Sequence, residues 1–102
     1  MQLTTSFRYI NLYREENLTQ DFFKINPTGT VPCLVDGEVK VWDSHAINIY
    51  LAQKFAKTDK LYPKDFLKRT VVNERLFFEA SFLFARLFEI CVSLFMIHSC
   101  CE

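Results

Sequence analysis

Three consecutive residues of this 102-residue chain, Asp43-Ser44-His45, set a carboxylate, a hydroxyl and an imidazole side by side. Ala46, Ile47, Tyr50 and Leu51 follow at helical spacing, so the triplet opens an amphipathic helix. Asp and Ser are both good N-caps. The start of a helix also presents backbone N–H groups and the positive end of its dipole, which suit a ligand carboxylate. Capping and anion binding are therefore both open readings of the triplet. Upstream, Val31-Pro32 enters the run Cys33-Leu34-Val35. Taken alone, Pro32 is a proline at the start of a strand, and its cis isomer is the rarer one. Thiol and metal chemistry find little support. Cys33, Cys91, Cys100 and Cys101 form no C-x-x-C and have no histidine at zinc spacing, and they read as buried or tail thiols. His98 is isolated.

These residues need elements to place them. Asn26-Pro27 opens a turn, because proline fixes its own φ and pushes the preceding residue out of the helical region. Asp36-Gly37 is a two-residue hairpin signal, answered by a strand over Glu38–Trp42. The helix opened by Ser44 runs to about Phe55. Before the turn, the alternating β-formers of Phe7–Tyr13 predict a strand. Glu15–Ile25 predicts a short helix with Leu18, Phe22, Phe23 and Ile25 as its apolar stripe and Asn17 or Thr19 as its cap. The order is β-α-β-β-α. Lys57-Thr58-Asp59-Lys60 is a polar break, and Pro63 stops any continuous helix. A long helix then starts at Phe66. Lys68, Arg69, Asn73 and Glu74 give it a wet face at first, but from Phe82 it is apolar on nearly every side, which demands burial.

Composition narrows the classes. Twelve basic residues balance twelve acidic ones, so there is no electrostatic footprint for nucleic acid or an anionic membrane. The N-terminal MQLTTSFRYINLYREE has no apolar secretory core. The longest uncharged run, Ile90–Cys101, falls short of the roughly 20 residues that span a bilayer. The expectation is a soluble cytoplasmic protein. Half of the residues are hydrophobic, and most of the eleven phenylalanines lie after Asp65, as if that half is built to be buried.

Asn26-Pro27, Thr30-Val31-Pro32, Leu34 and Asp36-Gly37, followed by Asp43-Ser44-His45-Ala46-Ile47 and Tyr50-Leu51, resemble the second half of a glutathione transferase N-terminal domain. KTDKLYPKD (57–65) and KRTVVNERLFFE (68–79) resemble the insect delta and epsilon classes. The resemblance runs from about Ile10 to Arg86; Ile90–Glu102 has no match. It implies an α/β, thioredoxin-like domain over 1–57 that begins at the family's second strand, lacking its first strand and helix. A linker over 58–64 follows, and 65–102 begins the all-helical C-terminal domain with a divergent tail.

The resemblance also implies site residues. Asp43 faces the ammonium of the γ-glutamyl unit, Ser44 holds its carboxylate, and His45 adds a donor. Val31 pairs through its backbone with the cysteinyl unit ahead of a cis Pro32. At the glycine end the family usually has two histidines; here Gly29 and Asn17 stand in those places, and only Asn17 keeps a side-chain donor. Phe84 and Phe88 match the electrophile site, and Glu79 matches an acidic position near the glutamyl pocket. No residue corresponds to the catalytic serine, since Thr4, Thr5 and Ser6 precede the segment matching the second strand. The implied activity is conjugation of reduced glutathione to hydrophobic electrophiles in detoxification, with this chain an incomplete or inactive form. Glutathione is a co-substrate, and neither a further cofactor nor a metal is implied. The implied partners are a second copy in a homodimer or a full-length relative. The alternative is a non-catalytic glutathione-fold module acting through protein–protein contact. Redox catalysis of the thioredoxin type is disfavoured for want of a C-x-x-C.

Overall fold

The computed structural model describes residues 4–100, with side chains as far as residue 94. Its contacts divide the chain into two compact units between Tyr62 and Pro63. In the first unit, α1 (Gln20–Phe23) leads through a loop to β1 (Cys33–Asp36), which pairs with β2 (Val39–Trp42), and α2 (Ser44–Phe55) follows. The sheet is antiparallel, with Cys33 opposite Trp42 and Asp36 opposite Val39. The turn is therefore Gly37-Glu38, one residue later than Asp36-Gly37. Gly37 takes φ +60°, the left-handed conformation that the tight connection needs and that glycine adopts without penalty.

Phe7–Tyr13 is not a strand. Residues 4–11 carry no regular structure, and Leu12–Arg14 is a 3-10 turn capped by Asn11. Phe7 and Tyr13 are almost fully exposed. β-Forming residues make a strand only where a neighbour takes their backbone N–H and C=O groups. Among the described residues the sheet holds β1 and β2 alone, so this segment has no ladder to join.

The helix expected over Glu15–Ile25 is broken as well. Glu15 sits at φ +55°, ending the first 3-10 turn, and a second covers Glu16–Leu18. Thr19 is extended and starts α1, its Oγ1 accepting the Phe22 N–H. Of the two possible caps, Thr19 is the one used. The core of this unit is small. Phe22, Asn26 and Gly29 are buried, while Ile47, Tyr50 and Leu51 of α2 are half-buried, and α2 packs against both strands. Lys40 on β2 donates to the Lys24 carbonyl at 2.8 Å, tying the sheet to the end of α1.

In the second unit, Asp65 caps α3 (Phe66–Phe78) by accepting the Lys68 N–H at 2.9 Å. A π-helical turn over Glu79–Leu83 joins α3 to α4 (Phe84–Cys100). The apolar faces expected to be buried are open among the described residues: Phe77, Phe84, Phe88 and Leu94 are all more than half exposed. No helix among the described residues is long and apolar enough to cross a membrane. Cys101, and the side chains of His98 and Cys100, lie outside the described residues.

Candidate functional site

The antiparallel register assembles the site. With Cys33 opposite Trp42, the residues just outside that pair are Pro32 on one strand and Asp43 on the other. Val31-Pro32 and Asp43-Ser44-His45 therefore share one end of the hairpin, away from the Gly37-Glu38 turn. Sequence spacing alone separates them by eleven residues.

Asp43 carries the sharp change from β2 into α2. Its φ is +77° with ψ 124°, a conformation that residues with a Cβ adopt at a cost. That turn swings its carboxylate back over the helix start, where Oδ1 accepts the N–H groups of His45 at 2.9 Å and Ala46 at 3.1 Å. The side chain is still 58% exposed. Ser44 is exposed on the first turn, and His45 is half-buried with Nδ1 3.5 Å from Asp43 Oδ1. Both readings of the triplet remain compatible: Asp43 caps the helix, and its carboxylate and the Ser44 hydroxyl stay exposed at the positive end of the α2 dipole.

The Val31–Pro32 bond is cis, and Val31 is 42% exposed ahead of β1. Asn17, expected at the glycine end, donates from Nδ2 to the Gly29 carbonyl at 2.7 Å, so it grips the loop that leads to Val31. Gly29 is buried at φ +67°, and a Cβ there would meet Phe23 at 3.1 Å and Leu18 at 3.2 Å. A side chain there would be strained by the positive φ and would need Phe23 and Leu18 to give way by a few tenths of an ångström. Phe84 and Phe88 lie in the second unit, their rings stacked at 6.3 Å between centroids.

Two features escaped the sequence reading. Asn26, which its place before Pro27 marks only as a turn opener, is wholly buried, and its side chain makes four hydrogen bonds within its own loop. Asp36, Tyr50 and Lys54 form a cluster linking β1 to α2: Asp36 Oδ2 accepts from Lys54 at 2.6 Å and from Tyr50 at 2.9 Å. Hydrogen bonds from Lys54 and then Tyr50 hold the Asp36 carboxyl below its ordinary range, and the bond to Asp36 first raises the Lys54 ammonium. The residues stand 14 and 18 positions apart, and no local pattern marks them.

Cys33 is half-buried, and desolvation pushes its thiol up, away from the thiolate a nucleophile needs. Cys91, in the tail that begins at Ile90, is exposed. Among the described residues no three His, Cys, Asp or Glu side chains gather as a metal site. A cavity of about 380 Å³ is lined by Thr4, Thr5, Ser6, Leu34, Val35, Asp36, Leu51 and Phe55, and no residue of the hairpin-end cluster borders it.

Comparison with known proteins places this geometry. Residues 2–53 match the family "Glutathione S-transferase, N-terminal domain". Glutathione S-transferase 1 of Manduca sexta is 46% identical over 78 residues, which cover 76% of this chain and 36% of that protein. An epsilon-class glutathione S-transferase from the housefly, Musca domestica, superposes with a TM-score of 0.78 at 47% identity, covering 86% of this chain and 41% of that one. A glutathione transferase homologue from Drosophila mojavensis, solved with bound glutathione, gives 0.68 at 46% identity, over 70% of this chain and 32% of that one. The chain thus spans little more than a third of the length of its curated relative. Within that span the arrangement is a thioredoxin-like glutathione transferase N-terminal domain leading into a long C-terminal helix.

Proposed function

The chain belongs to the glutathione S-transferase family, and from that premise we propose that it carries the γ-glutamyl and cysteinyl half of a glutathione site. The observation that carries this reading is the register that brings Val31-Pro32 and Asp43-Ser44-His45 to one hairpin end. Glutathione offers an ammonium, two carboxylates, a central peptide and a thiol. Asp43 faces the ammonium with a carboxylate that is both capping and exposed. The Ser44 hydroxyl takes the γ-glutamyl carboxylate at the positive end of the α2 dipole, with His45 as a further donor. The backbone of Val31, an exposed residue ahead of the cis Pro32, pairs with the cysteinyl unit as a strand edge would. Asn17 commits one amide hydrogen to Gly29 and has the second for the glycine end.

The family chemistry we assign is attack of the glutathione thiolate on a hydrophobic electrophile, a detoxifying conjugation in the cytoplasm. The partner we assign is a second copy of the chain or a full-length relative.

Calorimetric titration with glutathione tests the binding. Loss of one hydrogen bond to a charged group is worth about 1.5–3 kcal/mol, so Ser44→Ala should weaken binding by about tenfold or more. Equal affinity in parent and variant would remove Ser44 from the site. A second reading, a module that acts through protein contact, is favoured by the open apolar surface at Phe77, Phe84, Phe88 and Leu94. Sedimentation of the purified chain as a monomer counts against it.

A further inference from the structure

Asn26 is the one fully buried polar side chain among the described residues, and all of its hydrogen-bonding capacity points one way. Its Oδ1 accepts the Thr28 N–H at 3.0 Å and the Thr28 hydroxyl at 2.7 Å. Its Nδ2 donates to the Thr30 carbonyl at 2.6 Å and to Thr30 Oγ1 at 3.2 Å. Two acceptor and two donor positions are all that an amide has. Its backbone is engaged too, the N–H with Phe22 at the end of α1 and the carbonyl with the N–H of Gly29. The two hydroxyls it holds, Thr28 and Thr30, lie 2.8 Å from each other. In the same loop, Asn17 donates to the Gly29 carbonyl.

A short Asn side chain can take up the backbone groups that follow it and so fix a turn. This one sends every side-chain bond into the four residues that follow, the segment that leads to the exposed Val31. We propose that Asn26 is a positioning residue for the glutathione site: it fixes the path of residues 27–30 and so sets in advance where the Val31 backbone meets the ligand. The assignment rests on the proposed role of Val31. Nothing in it requires Asn26 to touch glutathione. Its effect is to remove an ordering cost that binding would otherwise bear, which is the general basis of preorganisation.

The test uses the whole 102-residue chain and three variants. Asn26→Asp keeps the shape but replaces both donor hydrogens with an oxygen facing the Thr30 carbonyl. Thr28→Val, at an exposed position, removes one arm and serves if Asn26→Asp does not fold. Phe22→Leu loosens the neighbouring core without altering any of these bonds. Amide relaxation by NMR reads the loop without ligand, and glutathione titration reads the site. The expected result is raised mobility at Gly29, Thr30 and Val31 in Asn26→Asp, with Ser44 and His45 unchanged. Its glutathione affinity should fall about tenfold, and that of Thr28→Val by a smaller factor, while Phe22→Leu stays within about threefold of the parent despite a lower melting point. A loop as rigid as the parent's in Asn26→Asp overturns the inference. So does an affinity loss in Phe22→Leu equal to that in Asn26→Asp. If the parent binds glutathione and Asn26→Asp binds it equally well, the inference alone fails. If the parent does not bind, the binding role of Val31 fails and takes the inference with it.

Discussion

Replacing Asp43 separates three contributions that this one residue combines. Its carboxylate caps α2 through the N–H groups of His45 and Ala46, and loss of an Asp cap to Ala costs about 1 kcal/mol. Its backbone at φ +77° is a conformation that costs a residue with a Cβ on the order of 1–3 kcal/mol. Asp43→Ala keeps that strain and loses the cap, so it should destabilise by about 1 kcal/mol, a fall of roughly 4–8 °C in melting temperature for a domain of this size. Asp43→Gly loses only a few tenths of a kcal/mol of capping and sheds the strain, so it should melt at or above the parent. Asp43→Asn keeps a capping oxygen and should stay within about 0.5 kcal/mol of the parent. Its lost charge should nevertheless weaken glutathione binding, as would follow if Asp43 meets the ammonium. Thermal melts followed by circular dichroism give the stability order, and calorimetry gives the affinities. Asp43→Gly melting below Asp43→Ala would refute the strain argument. Full glutathione affinity in Asp43→Asn would refute the ionic role.

The cluster of Asp36, Tyr50 and Lys54 predicts a pH window. The lowered Asp36 contributes its stability fully above its ordinary value of 3.8 and loses it as pH falls through the depressed folded value. The raised Lys54 contributes fully below 10.5 and loses its share as pH rises through the elevated folded value. Asp36→Asn should flatten both edges in a pH series of thermal melts, and edges that persist unchanged would assign them to other groups. Glycine positions give a further contrast. Gly29→Ala meets both a positive φ and the side chains of Phe23 and Leu18, whereas Gly37→Ala meets only the φ. Gly37→Ala should therefore cost about 1 kcal/mol and Gly29→Ala distinctly more, as read by urea denaturation. Equal costs would mean that the neighbours of Gly29 yield freely.

The elements around the site were legible wherever a residue's own chemistry settles the local backbone. Gly37 marks the hairpin, although the turn lies one residue later than the Asp36-Gly37 pair suggests. Asp43 and Asp65 mark helix starts because a short acidic side chain reaches the first free N–H groups of its own chain. The run of family motifs from Asn26 to Leu51 was equally readable. Where the outcome depended on a distant partner, local pattern misled. Phe7–Tyr13 has the alternation of a strand and forms none, since a strand exists only beside another. The stripe through Leu18, Phe22 and Phe23 suggested one helix, but Glu15 and Thr19 leave the helical region and split it. Asn17 reads as a cap candidate and Asn26 as a turn residue, yet both hold the loop that leads to Val31.

Taken by itself, then, the sequence determined the family, the hairpin, the helix starts and the residue types at the proposed pocket, because each of these is written in contiguous residues. Only the tertiary structure decided that Val31 and Asp43 share an end of the sheet, that Asn26 is wholly buried, and that Lys54 and Tyr50 hold Asp36. Those outcomes depend on register and packing between segments 11 to 18 residues apart. Hydrogen bonds and close contacts act over a few ångströms of space, whatever the distance along the chain.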